Sequence, residues 1–534
     1  MSKPWTDEFV DSLLDKYAKR PGNLARMIVG AGSWRGGLDY LGPERESSHS
    51  MPELEEKSAS VAAYLAAHGV RKGDRVGVLL PKGPELLVAA LAVWRLGAAY
   101  LPLFTAFGTD AISMRIQDAE ASYVVTDAAN FSKVDLTAIG RCRVLLVGQE
   151  RRDGTESWSS AVDTPPMEGF VEIGPRELIV LLYTSGTTGA PKGVPVPLWA
   201  LAGFEAYMTL GIGLRHSDRF WNLADPGWAY GLYYGLIGPM ILGHRVLYVN
   251  RPFDPNSVEE TWRRYGITNF AAAPTAYRAM RSAIGERKVA GSPAVMSSAG
   301  EPLNPEVIHW AKSSLGVEIR DHYGQTELGM VINNHNDGRL RNEAIPGSMG
   351  LPTPGIRAVV VNGDFTEQGP ASEGEVAIDA GASPLFWFPG YYHAPDRTAE
   401  RFSPDRRYYL TGDVASTDQA GNFYFAGRSD DVILTAGYRV GPFEVESAVM
   451  GHPKVAECAV IGVPDELRGE SIRAYVVLRP GIQAGAELEG EIQQLVRERL
   501  SKTAYPREVV VVEELPKTPS GKVQRFLLRA EAAG

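Results

Sequence analysis

The chain has 534 residues, of which 44% are hydrophobic and 22% are charged. This composition is typical of a globular enzyme with several lobes, and it excludes a disordered or fibrous protein. The formal net charge of −10 argues against nucleic-acid binding, because such a surface requires an excess of Lys and Arg. The two cysteines, Cys142 and Cys458, have no Cys or His neighbours at metal spacing, which argues against a zinc site or a disulfide framework.

The sequence predicts neither a secretory leader nor a membrane span. The first eight residues have no apolar signal core, so we expect a cytoplasmic protein. The uncharged run at residues 226–243 contains five glycines and two prolines and barely reaches the length of a membrane helix. We expect this run to form a buried, irregular pocket wall.

Apolar periodicity predicts alternating helices and strands along most of the chain. The pattern predicts helices at residues 8–14 and 51–65, a loop at residues 42–50, and strands at residues 75–80, 123–125 and 144–147. This alternation indicates βαβ units and a largely parallel sheet. Near the C-terminus, a small α+β lobe is predicted from strands at residues 459–463 and 474–478 and a helix at residues 489–500.

A loop rich in glycine and hydroxyl groups follows the apolar run at residues 178–182, which we predict to be a buried strand. A short fragment of this kind is often a surface turn, but the glycines, hydroxyls and backbone amides together also suit phosphate oxygens. The loop is not a Walker motif, because Pro191 precedes Lys192 and Gly193 follows it. The residues that we expect to contact phosphate are Thr184, Ser185, Gly186, Thr187, Thr188, Gly189 and Lys192.

Three further segments carry groups that suit a nucleoside. Residues 298–303 offer a close-approach backbone and a flat proline face. Residues 321–327 offer the ring of Tyr323 for stacking and the carboxylate of Glu327 for Mg²⁺. Asp413 follows a predicted strand and a glycine turn, where its carboxylate could accept from both hydroxyls of a ribose.

These motifs resemble, position by position, those of the adenylate-forming superfamily, which includes acyl-CoA synthetases, luciferases and peptide-synthetase adenylation domains. Residues 437–446 are most similar to medium-chain acyl-CoA synthetases. The resemblance implies an α/β fold with a large, multi-lobed N-terminal adenylation domain of mostly parallel βα sheets at residues 1–429. It also implies a small, mobile α+β C-terminal domain at residues 430–534, with Asp430 as the hinge.

The same resemblance implies a role for particular residues. The nucleotide site would also include Gly300, Glu301, Pro302, Asp321, His322, Tyr323, Gly324, Gln325, Asp413 and Arg428. The implied catalytic residues are Lys522, Arg439, Thr326 and Glu327, of which Glu327 also holds the metal. The acid would be bound by Trp228, Ala229, Tyr230, Pro274, Thr275 and Gly324, with core packing as the alternative role for Trp228 and Tyr230. CoA would be bound by Ala436, Gly437, Tyr438 and Arg468.

The activity implied by the resemblance is that of an AMP-forming acyl-CoA synthetase, with ATP, Mg²⁺ and CoA. The enzyme would convert a carboxylic acid to acyl-AMP, release pyrophosphate, and then transfer the acyl group to CoA. Relatives that use acetate have a tryptophan at the position of Gly324, so we expect an acid larger than acetate, of short or medium chain, branched or aromatic. The alternative is that the backbone alone requires glycine there.

Two other functions are considered. An acyl-adenylate ligase would load the acyl group onto a carrier protein, and a comparison of CoA with a carrier would separate it from a synthetase. An inactive acyl- or nucleotide-binding homologue is disfavoured by the complete set of Lys192, Glu327, Asp413, Arg439 and Lys522. The expected partners are the acid, ATP and CoA, without nucleic acid, and the further candidates are a second copy of the chain and a lysine acetyltransferase acting on Lys522.

Overall fold

The computed structural model describes residues 4–32, 35–184, 191–341, 343–429, 431–435, 438–465, 468–500, 504–518 and 521–533. Within these residues the chain forms four β-sheets flanked by helices, and the largest sheet has ten strands. The expected α/β fold, with a large N-terminal part and a smaller C-terminal lobe, is confirmed.

The first part of the chain contains a sheet built from the predicted βα units. The strands of this part of the chain are β1 (Gly37–Leu41), β2 (Glu46–Ser50), β3 (Arg75–Leu79), β4 (Ala99–Pro102), β5 (Tyr123–Asp127), β6 (Arg143–Val147), β7 (Thr155–Ser157), β8 (Leu178–Thr184) and β9 (Lys192–Pro197), of which β1 and β2 lie outside this sheet. Its helices are α1 (Pro4–Tyr17), α2 (Leu24–Gly32), α3 (Met51–Ala67), α4 (Pro84–Arg95), α5 (Thr109–Asp118) and α6 (Trp158–Val162). Seven strands pair in the order β7-β6-β5-β3-β4-β8-β9, and every pair except β8–β9 is parallel.

The middle of the chain forms the ten-stranded sheet. Its strands are β10 (Phe220–Asn222), β12 (Asn269–Ala272), β13 (Val295–Ala299), β14 (Ile319–Gln325), β15 (Gly329–Asn333), β16 (Ser348–Pro352), β17 (Ala358–Val361), β18 (Gly374–Asp379), β19 (Tyr408–Thr417) and β20 (Phe423–Arg428). The strand β11 (Arg245–Val249) lies instead in a three-stranded sheet with β1 and β2. Its helices are α7 (Leu201–Ala206), α8 (Ala229–Gly231), α9 (Gly238–Ile241), α10 (Pro255–Tyr265), α11 (Pro274–Ile284), α12 (Pro305–Trp310) and α13 (Pro395–Ala399).

Strand direction changes within the ten-stranded sheet, whose order is β10-β12-β13-β14-β15-β16-β20-β19-β18-β17. The four strands from β10 to β14 are parallel. From β14 onward the neighbours are antiparallel. The alternation of helices and strands therefore predicts the parallel half and not the antiparallel half.

The C-terminal lobe has its own sheet and core. Its elements are β21 (Ile433–Thr435), β22 (Tyr438–Val440), α14 (Pro442–Met450), β23 (Val455–Asp465), β24 (Gly469–Leu478), α15 (Leu488–Arg499), β25 (Glu508–Val511) and α16 (Arg525–Ala533). The five strands pair in the order β22-β21-β24-β23, with β25 beside β24. A separate cluster of buried residues, which includes Val445, Val460 and Ile492, fills this lobe.

Two local predictions differ from the structure. Residues 46–50 are the strand β2 and not a loop, because their backbone pairs with β1, with Glu46 opposite Leu41. Ser50 then caps α3, since its side chain accepts from the backbone N–H of Glu53 at 3.4 Å while Glu53 accepts from the backbone N–H of Ser50. Residues 226–243 are mostly helical, with the π-helical turn Leu232–Ile237 between α8 and α9, and are not irregular. In the part of the chain that was searched, no helix is long and apolar enough to cross a membrane.

Candidate active site

The predicted nucleotide and acid residues meet at the carboxyl edge of three parallel strands. The strands β13 and β14 are aligned so that Ala299 lies opposite His322, and β12 pairs with β13 on the other side. Because the strands run in the same direction, the segments that follow them leave the sheet at one edge, where open α/β sheets bind ligands. These segments contain Thr275 after β12, residues 300–302 after β13, and residues 323–327 at the end of β14.

A buried carboxylate joins the two segments that were predicted to bind a nucleoside. The Tyr323 hydroxyl donates to Oδ2 of Asp413 at 2.5 Å, and the side-chain amide of Gln325 donates to the same oxygen at 2.8 Å. Nη1 of Arg428 lies 3.2 Å from the other carboxylate oxygen. The ring predicted to stack on a base and the carboxylate predicted to bind a ribose are therefore in direct contact, although 90 positions separate them in sequence.

The turn after β13 combines an open backbone with a charged pair. Gly300 has a φ of +103°, which favours glycine, and a Cβ placed on it would meet no atom within 4 Å. Beside it, Glu301 accepts from the Thr275 hydroxyl at 2.9 Å and from Nη2 of Arg278 at 2.7 Å. Pro274 is buried at the first turn of α11. Thr275, predicted for the acid, is thus hydrogen-bonded to the turn predicted for adenine.

Asp321 and His322 lie buried beneath this edge. Asp321 accepts from the backbone N–H groups of Leu303 at 3.3 Å and His322 at 3.1 Å, and burial raises its pKa to about 8. Burial lowers the pKa of His322 to about 3, so the ring is neutral. Its two nitrogens contact the Tyr207 hydroxyl at 2.8 Å and the Asn334 carbonyl at 3.1 Å. The ring therefore has no free nitrogen for the nucleotide contact that the sequence predicts.

Glu327, the carboxylate predicted to hold Mg²⁺, is buried next to a positive charge. The Tyr391 hydroxyl donates to Oε1 of Glu327 at 2.7 Å, and Nζ of Lys192 lies 4.9 Å from the centre of the Tyr391 ring. Mg²⁺ is usually held by one or two carboxylates together with substrate phosphates. Glu327 fits that kind of site. Among the residues that were searched, no group of three or more His, Cys, Asp or Glu side chains could form an all-protein metal cage.

Tyr391 and Arg401 are site residues that the sequence analysis missed. Tyr391 lies 64 positions from Glu327, and the Arg401 guanidinium is close enough to the Tyr391 hydroxyl to interact with it electrostatically. Burial lowers the pKa of Lys192, and the nearby charges of Arg401 and Arg397 lower it further. A concentration of positive charge of this kind attracts polyphosphate. The only signal in the sequence was the run of four arginines at residues 397–407.

The phosphate loop connects two neighbouring strands. The predicted strand at residues 178–182 is confirmed as part of β8, which is antiparallel to β9, with Thr184 opposite Lys192. The loop residues Ser185, Gly186, Thr187, Thr188 and Gly189 lie outside the described residues. At the end of the loop that is described, Lys192 stands over the Tyr391 ring and therefore near Glu327.

The wall predicted for the acid retains exposed surface. Trp228, Ala229 and Tyr230 are half-exposed, whereas most of the helical segment that follows them is buried. The Trp228 ring packs on Phe104 and Phe107, with ring centres 5.1 Å and 5.4 Å apart. Trp228 thus meets both expectations, since it belongs to an aromatic cluster and still borders open space.

The space expected beside Gly324 is filled by backbone. A Cβ on Gly324 would lie 2.0 Å from the carbonyl oxygen of Gly329 and 2.8 Å from Cα of Met330. The pairing of β14 with β15 is irregular between Tyr323 and Gly324. Glycine is therefore required there by the approach of the neighbouring strand. The prediction that the missing side chain of Gly324 enlarges the acid pocket is wrong.

The terminal loop of the C-terminal lobe packs against the same edge. A Cβ on Gly521 would lie 3.9 Å from the Thr275 hydroxyl oxygen and 4.0 Å from a carboxylate oxygen of Glu301. Lys522 follows with an exposed side chain, and its backbone N–H donates to the Thr518 hydroxyl at 3.1 Å. The predicted catalytic lysine thus lies next to the acid and adenine segments and not on a remote surface.

Among the described residues, two polar contacts between the lobe and the large domain lie at the start of α12. The side-chain amide of Asn304 donates to the Ser447 hydroxyl at 3.2 Å. Nη1 of Arg499 lies 3.1 Å from a carboxylate oxygen of Glu306. Both partners in the large domain belong to the segment at the start of α12, so the lobe is held at the edge where the nucleotide turn also lies.

Several predicted residues of the hinge and the CoA site are not described. Asp430, Ala436 and Gly437 lie outside the described residues, and Tyr438 and Arg439 are described only as backbone of β22.

Arg468, also predicted for CoA, belongs to a cluster of arginines around Tyr505. The guanidinium groups of Arg497 and Arg507 lie 3.9 Å and 3.7 Å from the centre of that ring. Burial and the charges of Arg468 and Arg497 lower the pKa of Arg507. The cluster concentrates positive charge on the lobe.

Two family models match the chain. A model of AMP-binding enzymes matches residues 37–392, and a model of the AMP-binding enzyme C-terminal domain matches residues 444–522. The chain belongs to the AMP-binding enzyme family. It is 36% identical over 509 residues to an acetyl-coenzyme A synthetase of Bacillus subtilis, which covers 92% of this chain and 86% of the relative.

Other relatives of this AMP-binding enzyme are also acyl-CoA synthetases. The chain is 35% identical over 546 residues to the mitochondrial acyl-coenzyme A synthetase ACSM3 of Rattus norvegicus, with 98% of this chain and 90% of the relative covered. A crystal structure of an acyl-CoA synthetase from Brucella canis is 41% identical and gives a TM-score of 0.77, with 99% of this chain and 98% of that chain covered. The expected activity, that of an AMP-forming acyl-CoA synthetase, is confirmed.

The geometry of this AMP-binding enzyme suits attack of a carboxylate on a phosphate. Both reactants are anions, so the site must supply positive charge and hold the reacting atoms in line. Lys192 and Arg401 lie beside Tyr391, and the loop of Lys522 lies next to Thr275. Of the two sequence relatives, one is named for acetate and the name of the other specifies no particular acid.

Proposed function

We propose that this enzyme joins a carboxylic acid larger than acetate to CoA in two steps. In the first step a carboxylate oxygen attacks the α-phosphorus of ATP, acyl-AMP forms, and pyrophosphate leaves. In the second step the CoA thiolate attacks the acyl carbon, the thioester forms, and AMP leaves. The observation that carries the proposal is the contact of the terminal loop, at Gly521, with the turn of Thr275 and Glu301.

In the first step, Lys522 would stabilise the charge on the carboxylate and the α-phosphate. This role is supported by the approach of the terminal loop to Thr275 and by the exposed side chain of Lys522, which can extend toward bound substrate. Arg439 and Thr326 are proposed as further contacts of the α-phosphate on the strength of the sequence motifs. Tyr323 and Asp413 would hold the adenosine, because their direct hydrogen bond aligns a ring with a carboxylate.

Mg²⁺ would be held by Glu327 together with phosphate oxygens of ATP. When bound, the ion would neutralise charge on the phosphates as pyrophosphate leaves. Tyr391 donates to Glu327 and so orients its carboxylate, and Lys192 and Arg401 flank this pair. Lys192 and Arg401 would bind the pyrophosphate part of ATP.

We propose the size of the acid from the pocket wall, because backbone atoms fill the space beside Gly324. The Trp228 indole makes a tilted contact with the Phe104 ring and an edge contact with the Phe107 ring, so the indole points into that aromatic cluster. Ala229, the next residue, is half-exposed and small. A wall with a small residue between two anchored aromatics favours a short- or medium-chain, branched or aromatic acid, because each buried methylene is worth about 0.8 kcal/mol.

For the second step, we propose that residues 430–534 rotate about Asp430 as a domain. The polar contacts that would have to break include Asn304 with Ser447 and Arg499 with Glu306, and the loss of an exposed ion pair of this kind costs little. The rotation would withdraw Lys522 and bring Gly437, which has no side chain to obstruct pantetheine, to the site. Arg468 would bind the phosphates of CoA.

The test separates the two half-reactions in Lys522→Ala. We expect pyrophosphate release from acid and ATP to fall by orders of magnitude, while thioester formation from preformed acyl-AMP and CoA stays near the wild-type rate. Lys517→Ala is the matched control, because Lys517 lies in the same loop but pairs with Glu457 at 2.6 Å. Equal loss of both half-reactions in a folded Lys522→Ala enzyme would refute the assigned role.

The competing function, transfer to a carrier protein, is tested by replacing CoA with a phosphopantetheinylated carrier in the same assay. The proposal predicts AMP release that depends on CoA and not on the carrier. We further propose a cytoplasmic enzyme whose exposed Lys522 is open to acetylation, which would remove its charge and block the first step.

A further inference from the structure

A chain of hydrogen bonds runs behind the acid wall. Nε2 of His322 lies 3.1 Å from the carbonyl oxygen of Asn334, and Nδ1 lies 2.8 Å from the hydroxyl oxygen of Tyr207. That hydroxyl oxygen lies 3.1 Å from the hydroxyl oxygen of Tyr230. All three distances are those of hydrogen bonds, so each contact contains one proton.

The carbonyl group determines the direction of the whole chain. A carbonyl oxygen only accepts, so His322 carries its proton on Nε2 and donates it to Asn334. Burial lowers the pKa of His322 to about 3, so the neutral ring has no second proton and Nδ1 is an acceptor. Tyr207 therefore donates its single proton to Nδ1. The remaining contact requires Tyr230 to donate to Tyr207.

Tyr230 consequently presents only lone pairs to any other partner. Burial raises the pKa of both Tyr207 and Tyr230, so both hydroxyls are protonated and each has one proton to give. The proton of Tyr230 is committed to Tyr207, behind the wall. To a bound acid, its oxygen could therefore offer only an acceptor.

Tyr230 also keeps accessible surface in the wall predicted for the acid. It follows Trp228 and Ala229 at the carboxyl edge, and all three residues are half-exposed. The Tyr230 hydroxyl is near enough to the carboxyl of Asp321 to interact with it electrostatically, so it lies near the residue of β14 at which the nucleotide segment begins.

We propose that Tyr230 selects acids that carry a hydroxyl or amino group able to donate a hydrogen bond to its oxygen. This inference rests on the proposed function and narrows its substrate class. An acid with a plain hydrocarbon chain would leave the lone pairs of Tyr230 without a donor. A methoxy oxygen is itself only an acceptor, so it would be repelled by these lone pairs. The preferred acid is therefore a short-chain, medium-chain or aromatic carboxylic acid that carries a hydroxyl or amino substituent.

The wild-type test compares acids of matched size. Hexanoate and benzoate derivatives with a hydroxyl or amino group at each position are compared with the same acids carrying a methyl or a methoxy group there. The readout is kcat/KM for CoA-dependent AMP release. At the position that reaches Tyr230, we expect the donor-bearing acid to exceed its methyl counterpart by about tenfold, and the methoxy acid to be the poorest.

Two variants test the direction of the chain. In Tyr230→Phe the acceptor is gone, and the ratio between donor-bearing and methyl acids should fall to about one. In Tyr207→Phe the proton of Tyr230 loses its acceptor and can turn to the pocket, so methoxy acids should gain relative to wild type. Tyr123→Phe is the control, because it removes a buried hydroxyl that donates to Glu156 at 3.0 Å in another sheet, and it should leave every ratio unchanged.

The outcomes separate this inference from the proposed function. If no acid supports CoA-dependent AMP release, the proposed function fails and the inference falls with it. If acids react but no donor-bearing acid exceeds its methyl counterpart, only the inference is overturned. It is also overturned if the preference survives in a folded Tyr230→Phe enzyme. Should Tyr207→Phe fail to fold, the wild-type panel and Tyr230→Phe still decide the question.

Discussion

Replacement of Gly324 by alanine should destabilise the large domain without changing the acid preference. A Cβ at this position would lie 2.0 Å from the Gly329 carbonyl oxygen, and Cβ contacts below 3.0 Å are essentially never seen. The strands β14 and β15 must therefore separate by at least about 1 Å, which combines overpacking with a strained ladder hydrogen bond. We expect a cost of about 2–4 kcal/mol, which for a domain of this size corresponds to a fall of roughly 2–5 °C in Tm.

Thermal unfolding followed by circular dichroism at one scan rate measures this fall, and kcat/KM for acetate and hexanoate is measured below the transition. Gly30→Ala is the matched control, because a Cβ at Gly30 in α2 would meet no atom within 4 Å; this variant should be as stable as wild type or slightly more so. The reasoning is refuted if Gly324→Ala unfolds at the wild-type temperature and its acid ratio changes, since Gly324 would then face the pocket.

Three further outcomes are expected. In Tyr391→Phe, Glu327 loses the donor that orients it at 2.7 Å, so the Mg²⁺ concentration for half-maximal AMP release should rise by about tenfold or more; an unchanged Mg²⁺ dependence would contradict this. Burial raises the pKa of Asp321 to about 8, above its usual 3.8, so the folded state binds this proton more tightly than the unfolded state. The contribution of Asp321 to stability is then greatest below about pH 4 and is lost as the pH rises toward 8. In Asp321→Asn, Tm relative to wild type should therefore increase from pH 5 to pH 8.5, and parallel curves would contradict the assignment. In Arg499→Ala, the half-exposed ion pair with Glu306 is lost, so the rate of acyl-AMP formation should fall by less than about fivefold; a larger loss would mean that the lobe depends on this pair.

The local elements of this protein could be predicted from its sequence. The apolar run that became β8 and the strands and helix of the C-terminal lobe were found where periodicity indicated them. The motifs that follow β8 and β13, and the motif at the end of β14, also indicate a nucleotide site without knowledge of the contacts between them. Such features depend on residues within one turn or one strand, and their spacing is visible along the chain.

Contacts between distant segments were decided only by the tertiary structure. The polar residues 46–50 form a strand because β1 lies beside them. The antiparallel half of the large sheet depends on the direction in which each later strand returns to the sheet. Tyr391 reaches Glu327 across 64 positions, and no pattern of spacing encodes that approach.

Gly324 shows the difference most clearly. Its lack of a side chain is written in the sequence, but whether the space beside it is empty depends on which strand pairs there, and the carbonyl oxygen of Gly329 occupies it. Periodicity records which face of an element is buried, because burial acts on each residue separately. The identity of the neighbour depends on the path of the whole chain, and so it appears only when the chain is folded.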